Sequence, residues 1–125
     1  MSTSPILLIE DEPSVTAFLR AALERRGYAV EDAASGAEGL EKLEGREYSG
    51  VISDIRMPGS VNGAEVHAWI QQNRPELCSR IILISGDTAN SETQLLLKQS
   101  GTPCIEKPFR VQQLLTVVEK TFGKP

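Results

Sequence analysis

The chain is poor in the residues that most often announce chemistry. It holds two cysteines, Cys78 and Cys104, with no Cys-x-x-Cys, and a single histidine, His67. That inventory excludes a zinc finger and a disulfide framework, and it leaves two reduced thiols that act as small apolar side chains. Long apolar runs are missing as well. Ile6 to Ile9 and Ile81 to Ile84 fall far short of the roughly 20 residues that cross a bilayer, and Met1 to Pro5 has neither region of a signal peptide. No membrane insertion and a cytoplasmic location are the expectations. Basic residues are few and scattered: 13 Lys and Arg stand against 17 Asp and Glu, for a net charge of −4. Direct nucleic-acid binding is therefore not expected. Repeats, low-complexity tracts and linkers are absent too, so residues 1–125 read as a single domain.

What is present is an alternation of short apolar runs with longer amphipathic ones, the pattern of a parallel sheet covered by helices on both faces. Ile6 to Ile9 reads as the first strand, and after Pro13 the residues Val15, Phe18, Leu19, Ala22 and Leu23 recur at helical spacing until Gly27. Tyr28 to Ala33 is the second strand, and Ser35 caps a helix that Gly45 ends. Gly50 to Ser53 is the third, followed by the loop Met57 to Gly63 and a helix that Arg74-Pro75 stops. On that helix Trp69 is assigned to the core and His67 to solvent. Ile81 to Ile84, a helix from Thr88 to Ser100, a strand from Thr102 to Ile105 and a helix from Arg110 to Phe122 complete five pairs. The expectation is an α/β, flavodoxin-like, doubly wound parallel sheet of order 2-1-3-4-5 with five helices.

That strand order has a chemical consequence. It gathers Glu10, Asp11, Asp54, Ser85 and Lys107, each at the carboxyl end of a strand, into one crevice. Three adjacent carboxylates raise one another's pKa unless a positive charge neutralises them, and Mg2+ (or Mn2+) suits a small oxygen-ligand site that keeps room for phosphate oxygens. A carboxylate in that setting can attack phosphorus and become an acyl phosphate. Lys107 offers a point charge for a phosphoryl oxygen and Ser85 a hydroxyl donor. Glu12 is assigned to the dipole of the first helix rather than to the metal.

Four strings, Ile6 to Pro13, Ser53 to Gly59, Ile84-Ser85-Gly86 and Glu106-Lys107-Pro108-Phe109, together resemble the receiver domain of two-component response regulators, over essentially the whole chain. The resemblance implies that Asp54 accepts a phosphoryl group from the phosphohistidine of a histidine kinase or histidine phosphotransfer protein, in a magnesium-dependent step. It implies that Glu10 and Asp11 form the acidic metal pair, that the backbone carbonyl of Arg56 is a further ligand, and that the Lys107-Pro108 peptide is cis. It implies that Ser85 is the switch hydroxyl, that a receiver homodimer is a further partner, and that the chain is no enzyme beyond its own phosphorylation and dephosphorylation at Asp54.

The sequence departs from the family pattern at particular points. Glu10 stands where Asp is commoner. The loop Pro58 to Gly63 is one residue longer than usual and Gly101 to Lys107 one shorter, as in receivers attached to hybrid sensor kinases. Cys104 occupies the switch position, three before Lys107, where many members carry Tyr or Phe. Arg56 and Asp87, at the mouth, are expected to tune the access of water. Two rival readings are a magnesium-dependent phosphohydrolase of related fold and a constitutive pseudo-receiver. The first lacks an Asp-x-Asp at the first strand, and the second is usually marked by loss of the acceptor Asp or the Lys, both present here. A flavin site fits the fold alone, because Glu10-Asp11-Glu12 would repel a phosphate.

Overall fold

The computed structural model describes residues 4–56, 61–86 and 91–125, with Glu92 described in its backbone only. Five strands, β1 (Ile6–Ile9), β2 (Val30–Ala33), β3 (Gly50–Asp54), β4 (Ile81–Ser85) and β5 (Cys104–Glu106), alternate with five helices. The helices are α1 (Pro13–Arg25), α2 (Gly36–Gly45), α3 (Gly63–Asn73), α4 (Ser91–Ser100) and α5 (Val111–Phe122), with a 3-10 turn at Pro75–Leu77. All pairings are parallel and the strand order is β2-β1-β3-β4-β5. Class, order and helix count agree with the reading of the sequence.

Strand side chains alternate between two cores. Ile6, Leu8, Ile52, Ile82 and Ile84 face α1 and α5 and meet Leu19, Leu23, Leu114 and Val118. Leu7, Ile9, Val51, Ile81 and Leu83 point the other way and meet Leu43 of α2 and Val66 and Ile70 of α3, with Leu96 and Leu97 of α4 against them. Burial on both faces is why these strands read as continuous apolar runs rather than alternating ones. Helix starts follow their local chemistry: Ser35 Oγ accepts from Glu38 N–H at 3.1 Å, and Asn62 Oδ1 from Glu65 N–H at 3.0 Å.

Several boundaries move, each for a visible reason. β2 begins at Val30 because the Tyr28 N–H closes the end of α1 on the Leu23 carbonyl, and its hydroxyl donates to the Gly123 carbonyl at 2.6 Å. β5 begins at Cys104 because Pro103 before it has no N–H to give the ladder, and the Thr102 side chain turns to His67, its Oγ1 3.2 Å from Nε2. His67 is consequently buried, not in solvent, and burial lowers its pKa. Trp69 packs against the core as expected. The lengthened loop at Pro58 to Ser60, the start of the fourth helix at Thr88 and the mouth residue Asp87 lie outside the described residues. Among those described, no helix is long and apolar enough to cross a membrane.

Candidate functional site at the carboxyl ends of the strands

Asp54 is the last residue of β3 and Ser85 the last of β4, each one position beyond the apolar run that announced its strand. The ladder continues past them. Ile55 N–H donates to the Ile84 carbonyl at 2.9 Å, and Lys107 N–H to the Ser85 carbonyl at 2.7 Å. That second bond ties the backbone of Lys107 to β4, so its four-carbon stem reaches back over the strand ends. The Lys107-Pro108 peptide is cis, as the resemblance implied. On the other side Gly63 opens α3 against the end of β3. A Cβ there would lie 2.5 Å from the Asp54 carbonyl oxygen and 2.6 Å from the Ile55 Cα, so only glycine lets the helix start this close.

Among the described residues, three carboxylates surround the Lys107 ammonium. Nζ donates to Asp54 Oδ2 at 2.9 Å and lies 3.3 Å from Glu10 Oε2 and 3.7 Å from Glu12 Oε1. Asp54 Oδ1 accepts a long bond, 3.3 Å, from the Arg56 N–H. Glu10 Oε1 accepts from the Glu12 N–H at 3.2 Å, whereas Glu10 Oε2 is buried with no hydrogen bond among the described residues. Its contact with Lys107 is an ion pair without hydrogen-bond alignment.

Electrostatics follow from this crowding. Burial, and then the charge of Asp54, push the Glu10 carboxyl up to about 7, even though the Glu12 N–H and Lys107 pull it down. Burial by itself would lower the Lys107 ammonium, but the hydrogen bond and charge of Asp54, with Glu10 behind it, outweigh that and raise it. One ammonium does not balance the acids, and the surplus negative charge is what a hard divalent cation would neutralise. Glu10, Glu12 and Asp54 offer oxygens within 4.8 Å of one another.

The sequence-derived residues fall into place unequally. Glu10, Asp54, Ser85 and Lys107 converge at one sheet edge. Asp11 is half-buried and stands outside the grouped carboxylates, and Glu12 takes a place in the cluster that its sequence reading withheld. Glu12 is the N-cap residue of α1, yet its side chain makes no capping bond. The signal that could have shown this is its i, i+2 spacing from Glu10, because Glu12 is still extended and alternate side chains of an extended chain lie on one side. Arg56 is exposed and reaches the site through its backbone. Cys104 packs on the core beneath α3 and α4, and its thiol is raised by burial first, then by Glu106 and Asp54.

A family model described as the response regulator receiver domain matches residues 6–119. Among curated proteins the chain is similar to the sensor kinase CckA of Brucella abortus, 33% identical over 124 residues, covering 98% of this chain and 13% of that protein. It is similar also to the response regulator ArlR of Staphylococcus saprophyticus, 31% identical over 110 residues, covering 88% of this chain and 48% of that protein. The chain thus spans less than half the length of these relatives. Among solved structures it resembles a CheY-like receiver domain protein from Methanospirillum hungatei, with a TM-score of 0.86, 28% identity and coverage of 97% and 94% of the two chains. It also resembles the response regulator TrrA of Thermotoga maritima in complex with Mg(2+)-BeF, with a TM-score of 0.81, 31% identity and coverage of 95% and 99%.

Proposed function

Because this chain belongs to the response regulator receiver family, we propose that it is a phosphoacceptor of a two-component phosphorelay, with Asp54 as the accepting residue. One observation carries the reading: a buried aspartate at the end of β3, held 2.9 Å from a lysine and flanked by Glu10, whose buried Oε2 has no hydrogen bond among the described residues. Asp54 Oδ1, the oxygen not engaged by Lys107, attacks phosphorus. The N–P bond of a donor phosphohistidine breaks, its electron pair stays on the imidazole, and an acyl phosphate forms. Water later attacks phosphorus, releasing inorganic phosphate and regenerating the carboxylate. Beyond this self-directed chemistry the chain is not an enzyme.

Mg2+, or Mn2+ in its place, would be held by Glu10 and Asp54, with Asp11 and the Arg56 carbonyl as the further ligands that family resemblance suggests. Bound there, the cation supplies charge neutralisation for the incoming phosphoryl oxygens. The orphaned oxygen of Glu10 and its raised pKa support this fit, as does the Mg(2+)-BeF complex of the Thermotoga relative. Lys107 holds a phosphoryl oxygen by charge. Ser85, whose carbonyl is bonded to the Lys107 backbone, donates its hydroxyl to another and passes the change toward β5, where Cys104 takes the place of the usual aromatic.

A groove of about 520 Å3 opens beside Lys107, lined in part by Val15, Phe18, Pro108 and Phe109. Its continuity with the acceptor site supports a protein donor, a histidine kinase or phosphotransfer protein, over a free metabolite. Exposed Leu95 on α4 supports a phosphorylation-dependent homodimer through that helix. Incubation with a small phosphodonor and Mg2+, followed by intact mass, tests the core of the reading. The wild type is expected to gain one phosphoryl group and Asp54→Asn none; labelling that persists in the variant would sink the assignment. Continuous turnover of a phosphomonoester would point instead to a phosphohydrolase.

A further inference from the structure

Glu12 does something other than what its position suggests. An acid at the N-cap of a helix normally accepts from the free N–H groups of the first turn. The Glu12 side chain accepts none of them, and Oε1 lies 3.7 Å from the Lys107 ammonium. Of the three carboxylates around that ammonium, the side chains of Glu10 and Asp54 are 1% and 6% exposed, whereas that of Glu12 is 59% exposed. Lys107 therefore sits between two buried anions, which a divalent cation would also claim, and one anion at the mouth.

We propose that Glu12 is a positioning residue for Lys107: it offers the ammonium a partner outside the acidic pocket and so weakens Lys107 as a competitor for the oxygens of Asp54 and Glu10. This rests on the proposed cation site. The physical ground is that a flexible lysine stem can swing its point charge between neighbouring carboxylates at little cost. Removing the outer partner leaves the ammonium with the inner two alone. Any cation binding there must then displace it from a site it holds more firmly. The effect is read through Lys107, which separates it from a direct attraction between Glu12 and the cation.

A double-mutant cycle decides the matter. Mg2+ affinity is measured by calorimetry at fixed ionic strength, without phosphodonor, for wild type, Glu12→Gln, Lys107→Met and the double variant, each checked for folding by circular dichroism. Glu12→Gln is expected to weaken Mg2+ about two- to fivefold, the range that a half-exposed ion pair spans. Lys107→Met is expected to tighten it, and Glu12→Gln in the Lys107→Met background to change it less than about 1.5-fold, the non-additivity expected of coupled neighbours. An equal weakening with and without Lys107 would mean that Glu12 acts on the cation itself, and no weakening in either would mean that it acts on nothing; each overturns the inference alone. Absence of Mg2+ binding to the wild type would overturn the cation site and this inference together.

Discussion

At the amino edge of the sheet Arg80 ends on the carbonyls of Ser49 and Phe122, with its guanidinium 5.8 Å from the Phe122 ring, whereas at the carboxyl edge the buried Glu10 Oε2 has, among the described residues, only an ion pair with Lys107 at 3.3 Å. The same contrast recurs around each. Arg74 donates to the Leu43 carbonyl at 2.7 Å, and Tyr28 closes on Gly123 at 2.6 Å. Three carboxylates share Lys107 at the opposite end. At one edge charged groups satisfy backbone carbonyls and stabilise the fold. At the other, like charges are packed together at a cost to stability, which is the expected mark of a binding or reacting site.

The largest way to break this contrast is Gly63→Ala. Its Cβ meets backbone rather than a flexible side chain, so α3 must back away from the end of β3. Chemical denaturation should register a loss of about 3 kcal/mol or more, and phosphoryl uptake at Asp54 should fall with it, since the strand end that carries the acceptor is displaced.

Arg80→Ala should cost about 1.5 to 3 kcal/mol, because it strips a charged donor from two carbonyls. Uptake of a phosphoryl group should be unchanged wherever the variant is folded; a loss of uptake would mean that the two edges are not separable.

Glu10→Gln should have the opposite sign. In the wild type without cation, the folded state keeps a Glu10 proton that the unfolded chain has released, between about 4.5 and about 7. The folded state then binds more protons than the unfolded one, so stability falls as pH rises through that window. The amide removes the titration, and at pH 8 the variant should be about 1 to 3 kcal/mol more stable than wild type, at about 1.4 kcal/mol per pKa unit. It should bind Mg2+ more weakly. A destabilised variant with an unchanged pH profile would remove the claim that Glu10 is held at a cost.

The smallest effect belongs to His67. Burial depresses its pKa, so the unfolded chain binds the extra proton first, and stability should be full above about 6.5 and lost as pH falls further. His67→Gln, measured at pH 5.5 and pH 8, should flatten that loss without altering phosphoryl uptake.

Much of this was legible in the sequence, unevenly. Ile6 to Ile9 and Ile81 to Ile84 could only be buried strands, because four consecutive apolar residues have no solvent face, and their order fixed which polar residues would meet. That order brings Asp54, Ser85 and Lys107 to one sheet edge, while the role of Ser85 came from the resemblance to the family string. Thr102 misled, because a β-branched residue before a short apolar stretch reads as strand, and the weight of Pro103, which has no N–H for the ladder, was missed. His67 misled in turn: a lone polar residue in an amphipathic helix goes to solvent by default, and its partner lies 35 positions away. Glu12 rather than Asp11 stands with Glu10 and Asp54, because side chains two apart on extended backbone lie on one side and the sequence reading did not apply that period beyond the apolar run.

By itself, then, the sequence determined the alternation, the sheet it implies, the edge at which the acids and Lys107 gather, and the family that the chain belongs to. The first three depend on the identity and spacing of nearby residues, which local sterics and hydrophobic burial read directly, and the family on the motifs the chain shares with it. The tertiary structure alone decided that Lys107 lies against Glu10, Glu12 and Asp54 rather than Glu10, Asp11 and Asp54, and that the buried Glu10 Oε2 meets it only as an ion pair. Those outcomes depend on the approach of segments 50 residues and more apart in the chain (Asp54 and Lys107 are 53 apart), where differences of an ångström decide between an ion pair, a hydrogen bond and neither.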